Sequence, residues 1–278
     1  MITRRGIAVV SLFLVLSLNA PVHAADDAPA NLVLVREGTL PIILTVPHGG
    51  RQAIPGIEER NTEGKPRGKG ARFVKSRDAN TDILAQRIAD EIKQITGRTP
   101  YVVMAKFERK YIDANRSPEI ALENPRARPY YDFYHNAIRR FIDEIRSKYP
   151  AGLLIDVHGQ SFVPDVVMRG THNGRSVTNL VRRGGFRAVT GPNGIFGQLE
   201  ANGFKVFPSN YLPTRGTFEN AGLNGGHTVA IYGSDNPNGI DAMQMEFGSK
   251  YRQKAVLDKS GRDAGKAIAA FYKAYLER

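Results

Sequence analysis

The sequence predicts an α/β fold, a single-domain three-layer sandwich with a mixed, largely parallel central sheet. Short runs of β-branched and apolar residues alternate along the chain with longer stretches whose apolar residues recur at helical spacing. Several of the short runs are apolar almost throughout, which is typical of strands that are buried on both faces. No linker, repeat or change of composition follows Ala30, so residues 25–278 are expected to form one domain.

Six short runs rich in β-branched or apolar residues predict strands, at residues 31–35, 42–46, 101–104, 153–157, 166–168 and 242–247. The second run leads directly into Pro47-His48-Gly49-Gly50, which predicts a turn. The fourth run leads into His158-Gly159, where a second turn is expected. Both histidines are therefore expected at the carboxyl end of a strand.

Four stretches with apolar residues on one helical face predict helices, at residues 80–95, 129–149, 177–189 and 259–276. Gly97 and Pro100 end the first helix, and Pro150 ends the second. Residues 52–75 are polar, with Gly and Pro, and predict a long loop. Residues 170–239 are rich in glycine, so this part of the chain is expected to be less regular.

The composition excludes several classes of protein. With 41% hydrophobic and 24% charged residues, the chain is too apolar for a disordered tail and too charged for a polytopic membrane protein. The absence of cysteine excludes disulfides, thiolate metal sites and cysteine nucleophiles. The formal charge of +12 points to an anionic partner, which is a nucleic acid, a membrane surface, an acidic wall polymer or a small carboxylate.

Residues 1–24 have the pattern of a secretory signal peptide. Arg4 and Arg5 precede an apolar run over residues 6–18, and Val22-His23-Ala24 supplies small residues before the expected cleavage point. The alternative is a membrane anchor, but the run falls short of the roughly 20 residues that a spanning helix needs. The mature protein is therefore expected to be exported, periplasmic or secreted, without stable membrane insertion.

The two strand-terminal histidines, His48 and His158, are each followed by glycine, which allows another group to approach closely. In α/β sheets, sites lie beyond the carboxyl ends of the strands, and this rule points to His48, His158 and Glu246. A lone histidine is more often structural, but two at matching strand ends favour a metal or catalytic pair.

A zinc hydrolase site needs three protein ligands and an open position. The candidates for an acidic third ligand are Asp78 and three glutamates, Glu58, Glu59 and Glu63. Asp78 stands where a loop meets the helix at residues 80–95, so it equally fits the N-cap of that helix. The sequence leaves these roles open.

Two further positions carry candidate chemistry. Asn115 offers a directional hydrogen bond, and Arg116 offers bidentate recognition of a carboxylate. The same residues also fit a salt-bridged turn on the surface. Asp113 could orient Arg116 or His48. Glu246 lies in an apolar strand, and a buried glutamate fits a general base, whereas an edge strand would leave it in solvent. The sequence contains neither a G-x-S-x-G nucleophile elbow nor an H-E-x-x-H motif.

In this order, the clusters resemble the N-formylglutamate amidohydrolase family, whose members are similar to zinc carboxypeptidases and aspartoacylases. The resemblance runs from about Leu44 to Tyr251. The matching pieces are Val46-Pro47-His48-Gly49-Gly50, Arg77-Asp78 with Thr81-Asp82, Ile112-Asp113-Ala114-Asn115-Arg116, Tyr134-His135, Leu154-Ile155-Asp156-Val157-His158-Gly159 and Gln244-Met245-Glu246-Phe247.

The resemblance implies a phosphorylase/hydrolase-like fold that binds one zinc ion per chain. It implies His48, Asp78 and His158 as zinc ligands and Glu246 as the general base and then the acid. It further implies that Asn115 and Arg116 hold a substrate carboxylate, and it makes His135 and His227 candidates near the site, with His227 expected to bind substrate. In the expected mechanism, a nearby cation, Arg109 or Arg116, stabilises the oxyanion.

The expected function is therefore an exported zinc-dependent amidohydrolase that cleaves an amide next to a carboxylate-bearing, glutamate-like residue. Its expected partner is a small anionic amide or peptide-like substrate. One alternative is a zinc carboxypeptidase-like hydrolase of γ-glutamyl, peptidoglycan or poly-γ-glutamate bonds. Another is a non-catalytic exported binding protein on the same fold. A nucleic-acid partner is not expected, because the sequence has no recognition motif and no tryptophan.

Overall fold

The computed structural model describes residues 28–61, 73–209, 219–220 and 222–277. The predicted signal peptide and the candidate ligand Glu63 lie outside the described residues. No helix in the described ranges is long and apolar enough to cross a membrane.

Within the described residues, seven strands form one sheet: β1 (Val33–Arg36), β2 (Ile42–Val46), β3 (Tyr101–Ala105), β4 (Leu153–Gln160), β5 (Val166–Gly170), β6 (Lys205–Phe207) and β7 (Asp241–Gly248). The described residues also form nine α-helices: α1 (Ala28–Leu32), α2 (Thr81–Thr96), α3 (Pro118–Ala121), α4 (Arg128–Lys148), α5 (Thr178–Gly184), α6 (Arg187–Thr190), α7 (Ile195–Ala201), α8 (His227–Tyr232) and α9 (Lys254–Tyr275). Short 3₁₀ helices cover Pro125–Ala127, Arg175–Val177 and Ser249–Arg252.

The strand order in the sheet is β1-β3-β2-β4-β7-β5-β6. The four central strands, β3, β2, β4 and β7, are parallel, whereas β1 and β5 pair antiparallel with β3 and β7. The predicted mixed, largely parallel sheet is confirmed. All four central strands end at the same edge of the sheet, so the residues that follow them are brought together there.

Helices cover both faces of the sheet, because successive residues of each strand point to opposite faces. On one face, Leu44 and Ile155 belong to a core formed with α2, α5, α6, α7 and α9. On the other face, Ile43 and Leu154 belong to a core formed with α1, α4 and α8. The three-layer sandwich is therefore confirmed, and the second face is the one that carries the polar residues described below.

A crevice opens at the ends of β2 and β4. From β2 the chain passes through α2 to β3 on one side, and from β3 it passes through α4 to β4 on the other side of β2. Because α2 and α4 lie on opposite faces, β2 and β4 adjoin where the winding of the chain reverses. In open α/β sheets this is the place where ligands bind.

The structure corrects several element boundaries. β4 continues through His158 and Gly159 to Gln160, because it pairs with β7 over its full length; the expected turn at His158 is wrong. The single helix expected over residues 177–189 is instead α5 and α6, separated at Gly185, where φ is +68°. The closing helix α9 begins at Lys254, earlier than the apolar stripe indicates.

Candidate active site

His48, Asp78 and His158 meet at the crevice. His48 follows β2, His158 lies near the end of β4, and Asp78 belongs to the loop before α2. Nδ1 of His48 lies 3.2 Å from Nδ1 of His158, and Oδ2 of Asp78 lies 3.5 Å and 3.2 Å from these two nitrogens. Among the described residues, these three form the one group of histidine and carboxylate side chains close enough to share a metal ion.

The dimensions of this group fit a zinc ion. Zinc binds histidine nitrogen and carboxylate oxygen at about 2.0–2.2 Å in tetrahedral geometry, which separates the ligand atoms by about 3.3 Å. The three observed separations are 3.2, 3.2 and 3.5 Å. Two imidazole nitrogens facing each other at such a distance repel if both carry lone pairs or both carry protons, unless a cation lies between them. The residues present therefore fit a divalent metal.

Each histidine is oriented by a buried carboxylate on its far side. Nε2 of His48 lies 2.7 Å from Oδ1 of Asp113, and Nε2 of His158 lies 2.8 Å from Oδ2 of Asp156. The hydroxyl of Thr45 in turn donates to Oδ1 of Asp156 at 2.6 Å. A proton on each Nε2 is thereby favoured, which leaves both Nδ1 lone pairs directed at the centre of the group.

The charge around the group favours a cation. Burial alone would lower the pKa of His158, but the carboxylates of Asp156 and Asp78 raise that pKa well above its usual value. Burial would raise the pKa of both Asp78 and Asp113. Interaction with His158 and His48 instead holds the pKa of Asp78 well below its usual value, and the charges of His48 and Arg109 do the same for Asp113. The carboxylates thus remain ionised and stabilise positive charge between them.

Asp78 does not act as the helix cap that its position equally suggested. The N-cap of α2 is Asn80, and the Asp78 carboxylate turns away to accept a hydrogen bond from the Gly159 backbone N–H at 3.0 Å. The alternative ligands Glu58 and Glu59 are exposed, and Glu59 pairs with lysines on the surface. Of the described candidates, only Asp78 joins the two histidines.

Glu246 is buried in β7, beside His158. The two residues are register partners on adjacent parallel strands, so their side chains share one face of the sheet. Nε2 of Gln244 donates to Oε1 of Glu246 at 2.9 Å. Burial is the main reason why the pKa of Glu246 is raised to about 7. The solvated edge-strand position considered for this residue is not observed.

Arg109 forms ion pairs with two carboxylates of the site, those of Asp113 and Asp78. Its guanidinium is buried, contacts Oδ2 of Asp113 through Nε at 3.0 Å and through a terminal nitrogen at 2.9 Å, and lies 3.7 Å from Oδ1 of Asp78. This arrangement fixes the orientation of both carboxylates and supplies positive charge next to the histidines.

Asn115 and Arg116 have different surroundings. Oδ1 of the buried Asn115 accepts hydrogen bonds from the backbone N–H of Thr228 at 2.8 Å and from its hydroxyl at 3.1 Å, and Nδ2 lies 3.1 Å from Nε2 of His158. Arg116 is half-buried, donates to the backbone oxygen of Asn115 at 2.8 Å, and lines the cavity. Arg116 therefore faces the space that a substrate would fill, while Asn115 connects α8 to the histidines.

The two other candidate histidines also differ. His227 is half-buried at the start of α8, and burial followed by the charge of Arg116 lowers its pKa. His135 is buried in α4, with Nε2 3.0 Å from the Ala114 backbone oxygen and Nδ1 2.9 Å from the Tyr232 hydroxyl. Since these contacts engage both ring nitrogens, His135 supports the loop that carries Asn115.

The site lies in a cleft with an inner and an outer part. The inner pocket, of about 210 Å³, is lined by His48, Asp78, Arg109, Asn115, Arg116, His158, Gln244 and Glu246 among others. The outer cleft, of about 990 Å³, shares several of these residues and adds His227, Arg77 and Phe162. The predicted metal ligands, Glu246, Arg109, Asn115, Arg116 and His227 thus line one or both of these adjoining parts, whereas the candidates His135, Asp113, Glu58 and Glu59 line neither.

Glycine is required beside both histidines. A Cβ on Gly159 would lie 2.4 Å from Cζ of Arg252, whose Nη2 donates to the Gln160 backbone oxygen at 3.1 Å. A Cβ on Gly49 would lie 2.7 Å from the backbone nitrogen of Asp82, at the start of α2. As expected, each glycine allows another group to approach closely: Arg252 packs against Gly159, and the start of α2 packs against Gly49.

Asp156 and Gln244 are site residues that no candidate motif in the sequence identified as such. Asp156 lies two residues before His158, and Gln244 lies two residues before Glu246. In a strand, such residues share a face, and the two pairs are aligned by the register of β4 and β7. Polar residues at alternate positions of an otherwise apolar strand are the pattern that would have identified them.

Comparison with known proteins points to one family. The model of the N-formylglutamate amidohydrolase family matches residues 40–251. No curated protein matches the chain in sequence. The fold is similar to the crystal structure of N-formylglutamate amidohydrolase from Ralstonia eutropha JMP134, with 16% identity and a TM-score of 0.57 over 87% of this chain and 97% of that one. It is also similar to a gene product of Agrobacterium tumefaciens, with 14% identity and a TM-score of 0.54 over 87% and 96% of the two chains.

Proposed function

This chain belongs to the N-formylglutamate amidohydrolase family and is a hydrolase of amide bonds, and we propose that it is an exported, zinc-dependent enzyme whose substrate carries a carboxylate beside the scissile amide. The observation that carries this proposal is the triangle of ligand atoms from His48, Asp78 and His158, with sides of 3.2–3.5 Å, next to the buried Glu246.

His48, Asp78 and His158 would hold the zinc ion, and Asp113 and Asp156 would keep both imidazoles in the binding tautomer. When bound, zinc supplies a Lewis acid that polarises a carbonyl group and lowers the pKa of water toward about 7. The protein's own side chains would carry out the proton transfers and bind the substrate.

Glu246 moves the proton. With a pKa of about 7, its carboxylate is poised to accept a proton from the attacking water and to release it again near neutral pH. Gln244 donates to Oε1 and so holds the carboxylate, which leaves Oε2 for the proton transfer. Glu246 then protonates the leaving nitrogen, so the C–N bond breaks and a free amine and a carboxylate are formed.

Two arginines would stabilise negative charge in the inner pocket. Arg109 lies beside the metal-ligand group and would stabilise the oxyanion that develops as water attacks the carbonyl. Arg116 lines the pocket without a carboxylate partner among the described residues, so its guanidinium would bind the substrate carboxylate. Asn115, which contacts both Thr228 and His158, would position this part of the pocket, and His227 would line the outer end of the substrate site.

The proposed location outside the cytoplasm is supported by the pattern of residues 1–24, which has a positive start, an apolar run and small residues before the cleavage point. An exported member of this family meets envelope and extracellular amides, so the substrate need not be N-formylglutamate itself.

The test combines metal analysis with a substrate screen. Protein purified without chelator is expected to contain about one zinc ion per chain, and chelation is expected to remove the ion and the activity together. The screen compares N-formylglutamate, N-acetylated amino acids, γ-glutamyl peptides and muropeptides, each with a neutral analogue that lacks the carboxylate. Full activity in metal-free protein, or equal turnover of the neutral analogues, would contradict the proposal.

A further inference from the structure

We propose that the outer cleft is a second substrate subsite, in which Arg77 and Phe162 bind an acidic chain that extends beyond the residue in the inner pocket. The inference rests on the proposed function, because it concerns the substrate of the same site. It identifies the substrate class as an amide within an acidic oligopeptide, in place of a single N-acylated amino acid.

The outer cleft is much larger than the inner pocket. The inner pocket measures about 210 Å³ and surrounds the metal-ligand group and Glu246. The outer cleft measures about 990 Å³, at the upper end of the range of about 300–1,000 Å³ that is typical of ligand sites. A single small amino acid would leave most of this space to water, whereas a peptide of several residues would fill it.

Arg77 has a hydrogen-bond donor that the described residues leave without a partner. Arg77 lines the outer cleft but not the inner pocket. One of its terminal nitrogens, Nη1, is buried and lacks a hydrogen-bond partner within the described ranges. A buried donor without a partner costs free energy. Because Arg77 lines the cleft, a turn of its guanidinium toward a substrate carboxylate would give this donor a charge-assisted hydrogen bond.

The charged residues that line the outer cleft are mostly basic. Counting only described residues, four arginines and one carboxylate line the outer cleft: Arg77, Arg109, Arg116, Arg252 and Asp78. Arg109 and Asp78 neutralise each other, and Arg252 donates to backbone oxygens, including those of Phe247 and Gln160. Net positive charge therefore remains along the cleft, which attracts an acidic chain and repels a basic one.

The outer cleft also contains an exposed aromatic ring, that of Phe162. Phe162 follows β4 at the cleft and is 78% exposed, the largest value among the exposed large hydrophobic residues of the described chain. Packing among the described residues leaves most of this ring in contact with solvent, so it contributes little to the core of the fold. A peptide in the cleft would cover the ring with its methylene groups while its carboxylates reach Arg77.

The experiment compares N-formylglutamate with N-formyl-triglutamate, in α-linked and γ-linked forms, on zinc-loaded wild-type protein and on Arg77→Gln, Phe162→Ala and Arg182→Gln. Arg182 is an exposed arginine that lines neither part of the cleft, so its variant controls for the loss of one positive charge. We expect Arg77→Gln to lower kcat/KM for one of the triglutamates about tenfold more than for N-formylglutamate, as the loss of a charged hydrogen bond predicts. Phe162→Ala should show the same preference at about threefold, and Arg182→Gln should show none.

A binding measurement separates this inference from the proposed function. Calorimetric titration of the Glu246→Gln protein with the same compounds requires no turnover, so it decides the inference even if no substrate is cleaved. Triglutamate should bind at least tenfold more tightly than N-formylglutamate, and Arg77→Gln should remove this preference while Arg77→Lys restores part of it. Equal binding of the two lengths, or an equal loss in the Arg77 and Arg182 variants, would overturn the inference and leave the amidohydrolase proposal standing.

Discussion

The inner pocket and the outer cleft are built from residues of opposite character. In and around the inner pocket, the carboxylates are buried and have partners: Asp78, Asp113 and Asp156 each contact a histidine, and Glu246 accepts from Gln244. In the outer cleft, Nη1 of Arg77 has no hydrogen-bond partner in the described part of the chain, Phe162 is exposed, and both residues lie in loops. The difference indicates that the protein itself holds the groups that do chemistry, whereas the groups that select the substrate await their partner.

The largest effect is expected at the proposed proton carrier. Glu246→Gln should lower kcat by on the order of 10²-fold or more, the usual scale for a general acid–base group, while zinc content and melting temperature stay near wild-type values. Glu91→Gln, a buried glutamate of α2 outside both parts of the cleft, is the matched control. Near-wild-type turnover by zinc-loaded Glu246→Gln protein would remove Glu246 from the mechanism.

The next effect concerns the carboxylate that orients His158. Asp156→Asn should weaken zinc binding about 10–100-fold, the usual cost of losing such a partner of a metal-ligating histidine, as measured by competition with a chromogenic chelator. The control is Asp241→Asn, which alters a buried aspartate at the other end of β7 that pairs with Arg183. If both variants changed the zinc affinity equally, the effect would be one of stability and not of histidine orientation.

A smaller effect is expected where the inner pocket meets the substrate carboxylate. Arg116→Gln should raise KM for a carboxylate-bearing amide about tenfold, because a charged hydrogen bond is lost, and should leave the neutral analogue within about twofold. Steady-state kinetics on the two substrates gives the comparison directly. An equal loss on both would show that Arg116 supports the pocket and does not recognise the carboxylate.

The smallest effect is expected at an acidic residue of the surface. Glu59→Gln should leave zinc content and kcat/KM within about twofold of wild type, because Glu59 is exposed and pairs with Lys75 and Lys110 away from the histidines. Metal analysis of the purified variant is the measurement. If the variant contained no zinc, Glu59 would be a metal ligand, and the distinction between buried metal-binding residues and paired surface carboxylates would be wrong.

Much of the regular framework was predictable because its periodicity is strong. The strand at Ile42–Val46 and the helices α2 and α4 lie within one residue of their predicted bounds, since apolar runs and stripes are ended there by turn residues or proline. The region between β5 and α8 was less predictable. Its helices have four to seven residues, and segments of this length carry too few periods to be recognised.

The candidate site was predictable as a set of residue types but not as an arrangement. The strand-His-Gly pattern identified His48 and His158, and the position of Glu246 in an apolar strand identified it as a candidate base. Asp78 was one of several candidate acidic ligands, and the resemblance favoured it over the others. The choice for Asp78 between a helix cap and the histidine group depends on the direction of one side chain, which is set by the Gly159 N–H and the two imidazoles. No local pattern contains that information.

By itself, the sequence determined the α/β sandwich, the family and the residue types available for catalysis, because periodicity and ordered motifs are local properties of the chain. Only the tertiary structure decided which of these residues meet. The register of β4 and β7 places Asp156 and His158 beside Gln244 and Glu246, and the reversal of winding between β2 and β4 opens the crevice in which they act. Contacts between residues about 90 positions apart depend on strand pairing. The same is true of the contrast between an inner pocket whose carboxylates are paired and an outer cleft where Nη1 of Arg77 lacks a hydrogen-bond partner among the described residues.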